Sequence, residues 1–465
     1  MKTAFDRDIL IPTDRRSSVP LRVQLERQLR VAIQSGRLQA NSRMPSTRAL
    51  GDNLGVARGV VVEAYEQLIA DGYLSATVGA GTYVTESRPG AVLAAESRPD
   101  EERPRFDFEA GTPDVTAFPR RRWLACLKRG YETANSNALG YPAPQGLLVA
   151  RSALASFLSR SRATVGSSDR VLMCNGFTQG ILLIARALKA RGLTNVAIED
   201  PSFGGLYRRF QNIGLDVQCV PIDEHGLVVE RLGSNVSAVI VTPGHQFPTG
   251  AAMSAERRAA LLAWAVRNDS LIIEDDYDSE FRYDRQPLGS LQGMAPDRVI
   301  YVGTASKMLA PALRLGWLLA PNNWIEDLTR QKMSADAGSP TNDQLALAEF
   351  LDSGEMDRHL RKMRPIYRQR RDVLVGAIAE FMPGLRVHGI AAGLHLMVDL
   401  PAGTDERDFV ARSSRRSVRL VGAGKYRAEQ ANHSPAIVLG YGCVSEASIR
   451  LGVSQIADLL AHNVL

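Results

Sequence analysis

Val302-Gly303-Thr304-Ala305-Ser306-Lys307 closes an apolar segment with small and hydroxylated residues, and Arg314 follows seven residues later. The amine of a lysine forms a Schiff base with an aldehyde. Hydroxyl groups and the planar, paired donors of an arginine bind phosphate. We therefore expect Lys307 to hold an aldehyde cofactor, and Thr304, Ser306 and Arg314 to bind its phosphate.

About thirty residues upstream, an apolar run ends in acids and a tyrosine, Ile272-Ile273-Glu274-Asp275-Asp276-Tyr277. Such a run predicts a buried strand that delivers carboxylates to its C-terminal end. Pyridoxal phosphate requires an acid facing its ring nitrogen and a hydroxyl near its phenolic oxygen. Asp275 and Tyr277 supply these groups in the right order before the lysine, so the two stretches together predict a pyridoxal phosphate site.

The composition is that of a globular protein with two or three domains: 465 residues, 45% apolar and 23% charged. No apolar run reaches membrane-spanning length, and Asp6, Arg7 and Asp8 argue against a signal peptide. The four cysteines are scattered without metal-site spacing, which favours a cytoplasmic location and no metal site. Up to Arg58 there are eleven Lys and Arg against five Asp and Glu, which favours a nucleic-acid-facing N-terminal segment.

The N-terminal segment shows the pattern of three helices and a hairpin. Residues 21–35 place apolar side chains at helical spacing, and Gly36 ends that helix. A short second helix begins with Ser46 or Thr47 as its N-cap, and a third runs from about residue 57 to 70. Two helices joined by a tight turn make a helix-turn-helix. Residues 73–84 then predict two short strands around a glycine-rich turn, a β-wing.

Three motifs in this segment resemble the winged-helix domain of GntR-type bacterial regulators. They are Pro45-Ser46-Thr47-Arg48-Ala49-Leu50, Ala64-Tyr65-Glu66-Gln67-Leu68, and Asp71-Gly72-Tyr73-Leu74 with Gly79-Ala80-Gly81-Thr82-Tyr83-Val84. In that family the second helix of the pair enters the major groove of double-stranded DNA and the wing touches the minor groove. The resemblance implies DNA contacts from a set of residues in these motifs and beside them: Arg43, Ser46, Thr47, Arg48, Arg58 and Gly79.

The chain divides into three segments. We expect a DNA-binding domain over residues 1–86, a linker rich in Pro, Gly, Ser and charge over residues 87–105, and a large domain over residues 106–465. Strand-like apolar runs alternate with helical segments in the large domain, which predicts a mostly parallel sheet with helices on both faces. The turn at Gly176-Phe177-Thr178 leads from one such strand into a helix, and a helix N-terminus there offers N–H groups to a phosphate.

The large domain resembles the type I aminotransferases along nearly its whole length. The matching stretches are Leu139-Gly140-Tyr141, Gly176-Phe177-Thr178-Gln179, Glu199-Asp200-Pro201-Ser202-Phe203, Pro248-Thr249-Gly250, Glu274-Asp275-Asp276-Tyr277 and Ser306-Lys307 with Arg314. The resemblance implies a homodimer with the cofactor at the subunit interface and Lys307 as the Schiff-base lysine. Phe177 and Thr178 would help to hold the phosphate. Phe203 would lie near the ring, and Tyr141 would reach the phosphate of the neighbouring subunit.

The combination of a GntR-type head with an aminotransferase-like body is similar to the MocR family of regulators. The resemblance implies a homodimeric transcription factor that binds a DNA operator and senses pyridoxal phosphate, an amine or an amino acid. The alternative is a working pyridoxal phosphate aminotransferase with an attached DNA-binding domain. A third reading, a pseudo-enzyme without cofactor, is disfavoured because Lys307, Asp275, Tyr277 and Arg314 occur together. The expected location is the bacterial cytoplasm, with nucleoid association when the protein is bound to DNA.

Three positions depart from the patterns of these families. The usual asparagine before Pro-Thr-Gly is Phe247, with His245 and Gln246 as candidates to take over its hydrogen bond. The arginine that holds a substrate α-carboxylate is replaced, at the corresponding strand, by Val438. A second arginine, expected shortly after Phe203, is also absent. The candidates to substitute for the missing α-carboxylate clamp are Arg208, Arg209 and Arg427.

Overall fold

The computed structural model describes residues 14, 17–77, 79–86, 104–283, 288–428 and 433–460. The chain forms two compact units, Met1–Glu102 and Arg103–Leu465. The predicted linker, residues 87–105, lies outside the described residues except for Pro104 and Arg105. None of the described helices is both long and apolar enough to cross a lipid bilayer.

The first unit is a winged helix, as the sequence predicts. Its elements are α1 (Leu21–Gln34), α2 (Thr47–Leu54), α3 (Arg58–Ala70), β1 (Leu74–Thr77) and β2 (Gly81–Val84). The side chain of Ser46 accepts a hydrogen bond from the N–H of Ala49 and so caps α2. Gly55 ends α2 in the left-handed conformation at φ +63°, which a glycine adopts without strain. β1 and β2 form an antiparallel hairpin, the predicted wing.

A small apolar core holds these elements together. Leu25 and Leu29 of α1, Leu50 of α2 and Val61 and Leu68 of α3 are almost fully buried against one another. Their spacing along each helix puts them on one face, which leaves the opposite face polar. The helix-turn-helix can therefore bury its apolar face and expose charged side chains on the opposite face.

The second unit has eleven helices among its described residues. They are α4 (Arg120–Thr133), α5 (Leu148–Arg162), α6 (Phe177–Ala190), α7 (Leu206–Ile213), α8 (Ala255–Arg267), α9 (Leu291–Met294), α10 (Asn322–Asp336), α11 (Thr341–Asp352), α12 (Glu355–Phe381), α13 (Glu406–Arg415) and α14 (Glu446–Ala457). Its strands are β3 (Phe106–Asp107), β4 (Val171–Cys174), β5 (Asn195–Asp200), β6 (Asp216–Asp223), β7 (Gly226–Leu227), β8 (Ala238–Val241), β9 (Leu271–Asp276), β10 (Val299–Thr304), β11 (Gly316–Leu319), β12 (Val387–His388), β13 (His395–Asp399), β14 (Val418–Arg419), β15 (Val421–Gly422) and β16 (Ala436–Gly440).

An eight-stranded sheet forms the centre of this unit, in the order β4-β11-β10-β9-β8-β5-β6-β7. The five strands from β10 to β6 are parallel, whereas β11 runs antiparallel to both of its neighbours. This confirms the predicted mostly parallel sheet. Because parallel strands share one direction, the last residues of β9 and β10 reach the same edge of the sheet.

The sheet is covered on both faces, as its apolar strands require. In β10, Tyr301 belongs to one core cluster, whereas Ile300 and Val302 belong to another. The first cluster includes α5, α11 and α12, and the second includes α6, α7 and α10. A smaller, four-stranded antiparallel sheet, β12-β13-β16-β15, follows towards the C-terminus.

Candidate functional site

A cavity of about 350 Å³ lies at the edge of the central sheet where β9 and β10 end. The N-terminus of α6 and the segment after β3 complete its wall. The predicted cofactor residues, apart from Tyr141, lie together in the lining, which consists of Glu109, Ala110, Gly111, Phe177, Thr178, Phe203, Gly204, Phe247, Asp275, Tyr277, Thr304, Ser306, Lys307, Pro311, Arg314, Lys425 and Tyr426.

Lys307 projects from the turn that follows β10. Its Nζ donates a hydrogen bond of 2.5 Å to the carbonyl oxygen of Gly111. Gly111 has φ +79°, a conformation that favours glycine, and a Cβ there would lie 2.9 Å from Nζ, so a larger residue would displace the amine from this position. Burial lowers the pKa of Lys307, although Asp278 and Asp275 act in the opposite direction. A lowered pKa enlarges the fraction of neutral amine, which is the form that attacks an aldehyde.

One end of the cavity is rich in phosphate-binding groups. The Oγ atoms of Thr304 and Ser306 are 2.9 Å apart, and the guanidinium of Arg314 donates to the carbonyl oxygen of Asn175 at 3.0 Å. A Cβ at Gly176, which has φ +79°, would lie 2.8 Å from that guanidinium. Arg314 itself has φ +51°, an uncommon conformation for a non-glycine residue. Two hydroxyls, an arginine and the start of α6 thus converge, which suits a phosphate group.

The opposite wall carries a buried acid without a partner. Asp275 is the fifth residue of β9, and its Oδ1 has no hydrogen-bond partner among the described residues. Burial raises its pKa well above the ordinary value, and the neighbouring Asp276 adds to the effect. A buried, unpaired carboxylate is unfavourable unless a cation meets it. A protonated pyridine nitrogen would supply that cation, so the residues present fit pyridoxal phosphate.

Tyr277 lies one pleat beyond Asp275 on the same wall. Its hydroxyl is 3.1 Å from Nδ1 of His245, and burial raises its pKa well above the ordinary value. The tyrosine therefore remains a neutral phenol with a hydrogen to donate. This is the property that a partner for the phenolic oxygen of the cofactor needs.

Aromatic rings form the remaining side of the cavity. Phe203 packs between Phe177 and Phe247, with centroid distances of 5.9 and 6.2 Å, and Phe247 packs edge-on against Tyr426 at 4.8 Å. Phe203 is 43% exposed, so it lines an opening instead of a closed core. Tyr141 is fully exposed on its loop and is not part of this lining.

The lining residues that the sequence analysis did not predict include Glu109, Gly111, Lys425 and Tyr426. They come from the segments after β3 and β15, which are short and have no periodic pattern or motif. The pairing of β14 with β3 brings these distant segments together. Such long-range pairing leaves no local signal in the sequence.

The substitutes considered for the missing polar groups do not line the cavity. Gln246 donates to the carboxylate of Glu199 at 3.1 Å, and His245 bonds to Asp278 and Tyr277 behind the wall. Arg208 and Arg209 are absent from the lining, and Arg427 lies in a separate cleft beside Asp200 and Arg386. The expectation that one of these three arginines replaces the α-carboxylate arginine is not supported by their positions.

Val438, which we expect to take the place of that arginine, lies in β16 and is fully buried. It packs with Met397, Ala423 and Ala436, and the cavity-lining Ala110 and Tyr426 pack against the same cluster. The wall behind this end of the cavity is therefore apolar. Apart from Lys307 and Arg314, the described lining contains one cationic side chain, the exposed Lys425.

His245, Asp278 and His395 each place a donor atom within 4.8 Å of the other two. This spacing would allow a metal ion to bridge them. Hydrogen bonds between His245 and Asp278, at 3.0 and 3.2 Å, satisfy two of the three side chains in the absence of an ion.

In the winged helix, the predicted DNA-contact residues lie around the second and third helices and the wing. Arg48 and Arg58 are exposed at the starts of α2 and α3, and neither has a polar partner among the described residues. Arg43 lies against the wing, because a Cβ at Gly81 would be 3.0 Å from its Nε. Gly79 is exposed in the wing turn at φ +81°. Thr47 is half-buried at the start of α2, and the hydroxyl of Ser46 is committed to the cap of that helix.

Comparison with known proteins agrees with both units. Residues 21–84 match the family "Bacterial regulatory proteins, gntR family", and residues 106–421 match "Aminotransferase class I and II". The chain is 33% identical to the HTH-type transcriptional regulator YhdI of Bacillus subtilis, over 97% of each chain. It is 32% identical to the HTH-type pyridoxine biosynthesis transcriptional regulator PdxR of Corynebacterium glutamicum, over 96% of each chain.

Among solved structures, the multiple substrate aminotransferase of Thermococcus profundus is similar with a TM-score of 0.72 and 27% identity. The match covers 78% of this chain and 93% of that one. The large unit thus has the fold of the pyridoxal phosphate aminotransferases. The chain belongs to the MocR family of transcriptional regulators, in which a DNA-binding GntR-type winged helix is joined to an aminotransferase-like domain that binds pyridoxal phosphate.

Proposed function

We propose that the chain regulates transcription in response to pyridoxal phosphate itself, with the cofactor as effector. The observation that carries this proposal is the contrast between the cofactor anchors in the cavity lining and the apolar cluster around Val438, against which the lining residues Ala110 and Tyr426 pack. An amino acid effector needs a strong partner for its carboxylate. The name of the relative PdxR, a regulator of pyridoxine biosynthesis, points in the same direction.

In this proposal each anchor has one task. Lys307 binds the aldehyde carbon covalently, Asp275 keeps the ring nitrogen protonated, and Tyr277 donates to the phenolic oxygen. Ser306, Thr304, Arg314 and the first residues of α6, Phe177 and Thr178, hold the phosphate. Phe203 and Phe247 exclude water from the ring. When bound, the cofactor supplies an electron-withdrawing ring.

The body is proposed to form a homodimer. Its exposed large apolar side chains include a group within one stretch of 26 residues, from α4 to the start of α5: Leu124, Tyr131, Leu139, Tyr141, Leu148 and Val149. Exposed apolar groups of this kind are typical of a protein–protein interface. Tyr141 would then reach the phosphate in the other subunit. Sedimentation of the full chain tests this, since Leu148→Arg should produce monomers and Val266→Arg, at an exposed apolar residue on α8, should not.

DNA recognition is assigned to Arg43, Arg48 and Arg58, with Ser46, Thr47 and Gly79 close to the backbone of the operator. The exposed, unpaired guanidinium groups of Arg48 and Arg58 support this assignment, because phosphates and base edges are their natural partners.

The experiment is a selection of operator sequences from random double-stranded DNA with the full chain, first free of pyridoxal phosphate and then loaded with it. Fluorescence anisotropy then gives the affinity for the recovered sequence in both states. We expect at least a fivefold difference between the two states, and less than a twofold further change with any amino acid or amine. Equal affinities in both states, together with a response to one amino acid, would refute the proposal.

A second candidate effector is an amino acid or other carboxylate held by Lys425. The specific observation in its favour is that Lys425 is the remaining cation of the described lining. Glu109 lies in the same lining and would offset that charge, which makes the lysine a weak carboxylate clamp.

A further inference from the structure

Nδ1 of His245 faces two oxygen atoms at once. It lies 3.0 and 3.2 Å from the two carboxylate oxygens of Asp278 and 3.1 Å from the hydroxyl of Tyr277. His245 and Asp278 are only 3% and 1% exposed, so bulk solvent has little access to them. The three side chains form one buried chain of contacts that ends at the cavity wall.

The hydrogen on this nitrogen is fixed by its partners. A ring nitrogen carries at most one hydrogen, and a carboxylate oxygen only accepts. Nδ1 therefore carries a hydrogen that is directed at Asp278, with the oxygen of Tyr277 as a second acceptor. Tyr277 consequently has no acceptor on His245 for its own hydrogen. It has no other hydrogen-bond partner among the described residues, so that hydrogen is available to the cavity.

The surroundings hold this arrangement in place. His395 packs 5.0 Å from His245, and its Nε2 lies 3.2 Å from the carbonyl oxygen of Pro248. Burial lowers the pKa of His395 well below the ordinary value, so it is a neutral neighbour. At Gly393, φ +73°, a Cβ would lie 2.2 Å from the ring of His245 and 2.4 Å from Asp278. The absence of a side chain at Gly393 thus leaves the space that His245 and Asp278 occupy.

We propose that Asp278 and His245 are a positioning pair that fixes Tyr277 as a hydrogen-bond donor to the phenolic oxygen of pyridoxal phosphate. Phe247 stands where relatives of the fold have an asparagine, and it offers no polar group for that oxygen. The orientation of one tyrosine hydrogen therefore matters more here than where an asparagine shares the task. The inference rests on the assignment of Tyr277 under the proposed function.

The test compares three variants of the full chain. Tyr277→Phe removes the donor, His245→Leu removes the N–H that faces it, and His245→Asn restores an amide N–H₂ near the place of Nδ1. Each is loaded with pyridoxal phosphate, and the dissociation constant and the visible absorption band of the bound cofactor are measured. Y277F should weaken binding about tenfold and shift the band. H245L should shift the band in the same direction, whereas H245N should resemble the wild type.

The outcomes distinguish the assignment of Tyr277 from the role of the His245–Asp278 pair. If Y277F changes neither quantity, the assignment of Tyr277 fails and the positioning pair fails with it. If Y277F shifts the band but H245L does not, the assignment stands and the pair is overturned. An H245N variant that matches H245L would also overturn it, because the ring would then act by packing alone.

A measurement on the unmodified side chain keeps the inference testable even if H245L does not fold. The chain has seven histidines, so selective ¹⁵N labelling gives a simple NMR spectrum, and H245N identifies the signals of His245. A hydrogen on Nδ1 is the expected result. A bare Nδ1 would overturn the inference.

Discussion

The two ends of the cofactor cavity differ in the polar groups that they offer to a ligand. The end built from β9, β10 and α6 combines Lys307, Arg314 and the unpaired carboxylate of Asp275. The other end, near β16, adjoins the apolar cluster around Val438, and its lining contains one exposed lysine, Lys425. Under the proposed function, the first end binds pyridoxal phosphate and the second lacks the arginine that an aminotransferase uses to hold its substrate. An aminotransferase-like fold would then serve as a receptor for its own cofactor.

The largest effect is expected from Lys307→Ala. Without the amine no covalent bond to the aldehyde can form, so borohydride reduction followed by mass spectrometry should show complete loss of the fixed cofactor. The response of operator affinity to pyridoxal phosphate should vanish with it. Lys425→Ala, at the other end of the cavity, is the matched control and should keep the adduct. A reducible adduct retained in K307A would show that Lys307 is not the residue that holds the cofactor.

Arg314→Ala should weaken pyridoxal phosphate binding by about a hundredfold. The reason is that a charge-assisted, paired contact to phosphate contributes about 2–3 kcal/mol. Titration of the cofactor-free protein by fluorescence quenching gives the dissociation constant. Arg208→Ala, an exposed arginine of α7, controls for the loss of charge. Equal affinities for R314A and R208A would contradict the phosphate assignment.

Asp275→Asn should weaken cofactor binding about tenfold and at the same time stabilise the cofactor-free protein at neutral pH. Burial raises the pKa of Asp275 in the folded state. A carboxyl group with a raised folded pKa destabilises the protein increasingly as pH rises above its unfolded value, and the asparagine removes that cost. Thermal midpoints measured at about pH 4.5 and about pH 7.5 should differ between the variants by much more at the higher pH.

A midpoint of D275N below that of the wild type at pH 7.5 would contradict this account. The control is Asp223→Asn, because Asp223 is an exposed carboxyl paired with Arg257, and its pKa is lowered. A lowered pKa means that the ionised carboxylate of Asp223 stabilises the folded protein, so D223N should not stabilise the protein at either pH.

Much of this organisation could be predicted from local sequence. The strand that ends at Asp275, the turn with Lys307 and the helix start at Phe177 each carry a complete signal within ten residues or fewer. The N-terminal winged helix could be predicted in the same way, because capping, glycine turns and helical spacing are local properties of the sequence. These elements follow from short-range chemistry.

The other end of the cavity could not be predicted in the same way. Lys425 and Tyr426 reach it through the pairing of β15 with β16, and Glu109 and Gly111 through that of β3 with β14. Hydrogen bonds of His245 to residues 32 and 33 positions away likewise have no local sign. The sequence suggested three arginines as substitutes for the α-carboxylate arginine, and none of them lines the cavity.

A smaller effect is expected at the DNA-binding unit. Arg48→Ala and Arg58→Ala should each lower operator affinity about fivefold and reduce the slope of log affinity against log salt by about one, if each contacts a phosphate. Anisotropy at several salt concentrations measures both quantities. Arg27→Ala, on the exposed side of α1, is the control, and cofactor affinity should be unchanged in all three. Unaltered operator affinity in both R48A and R58A would mean that another surface binds DNA.

The smallest effect is expected for Lys425→Ala. If pyridoxal phosphate is the effector, this variant should change the cofactor-dependent difference in operator affinity by less than about twofold, because an exposed charge contributes little. The conservative variant Lys425→Arg should behave like the wild type. If Lys425→Ala instead abolishes a response to one particular amino acid, the second candidate effector is favoured.

The most direct test of the central claim is the visible absorption spectrum of the cofactor-loaded protein during titration with a panel of amino acids, amines and keto acids. Our account predicts a yellow protein whose spectrum stays unchanged across the panel, because the described lining of the cavity contains no arginine besides the phosphate-binding candidate Arg314. A saturable spectral shift with one amino acid would contradict it by showing that the apolar end of the cavity admits a substrate-like ligand. Bleaching that a keto acid reverses would show transamination and would assign the chain an enzymatic activity.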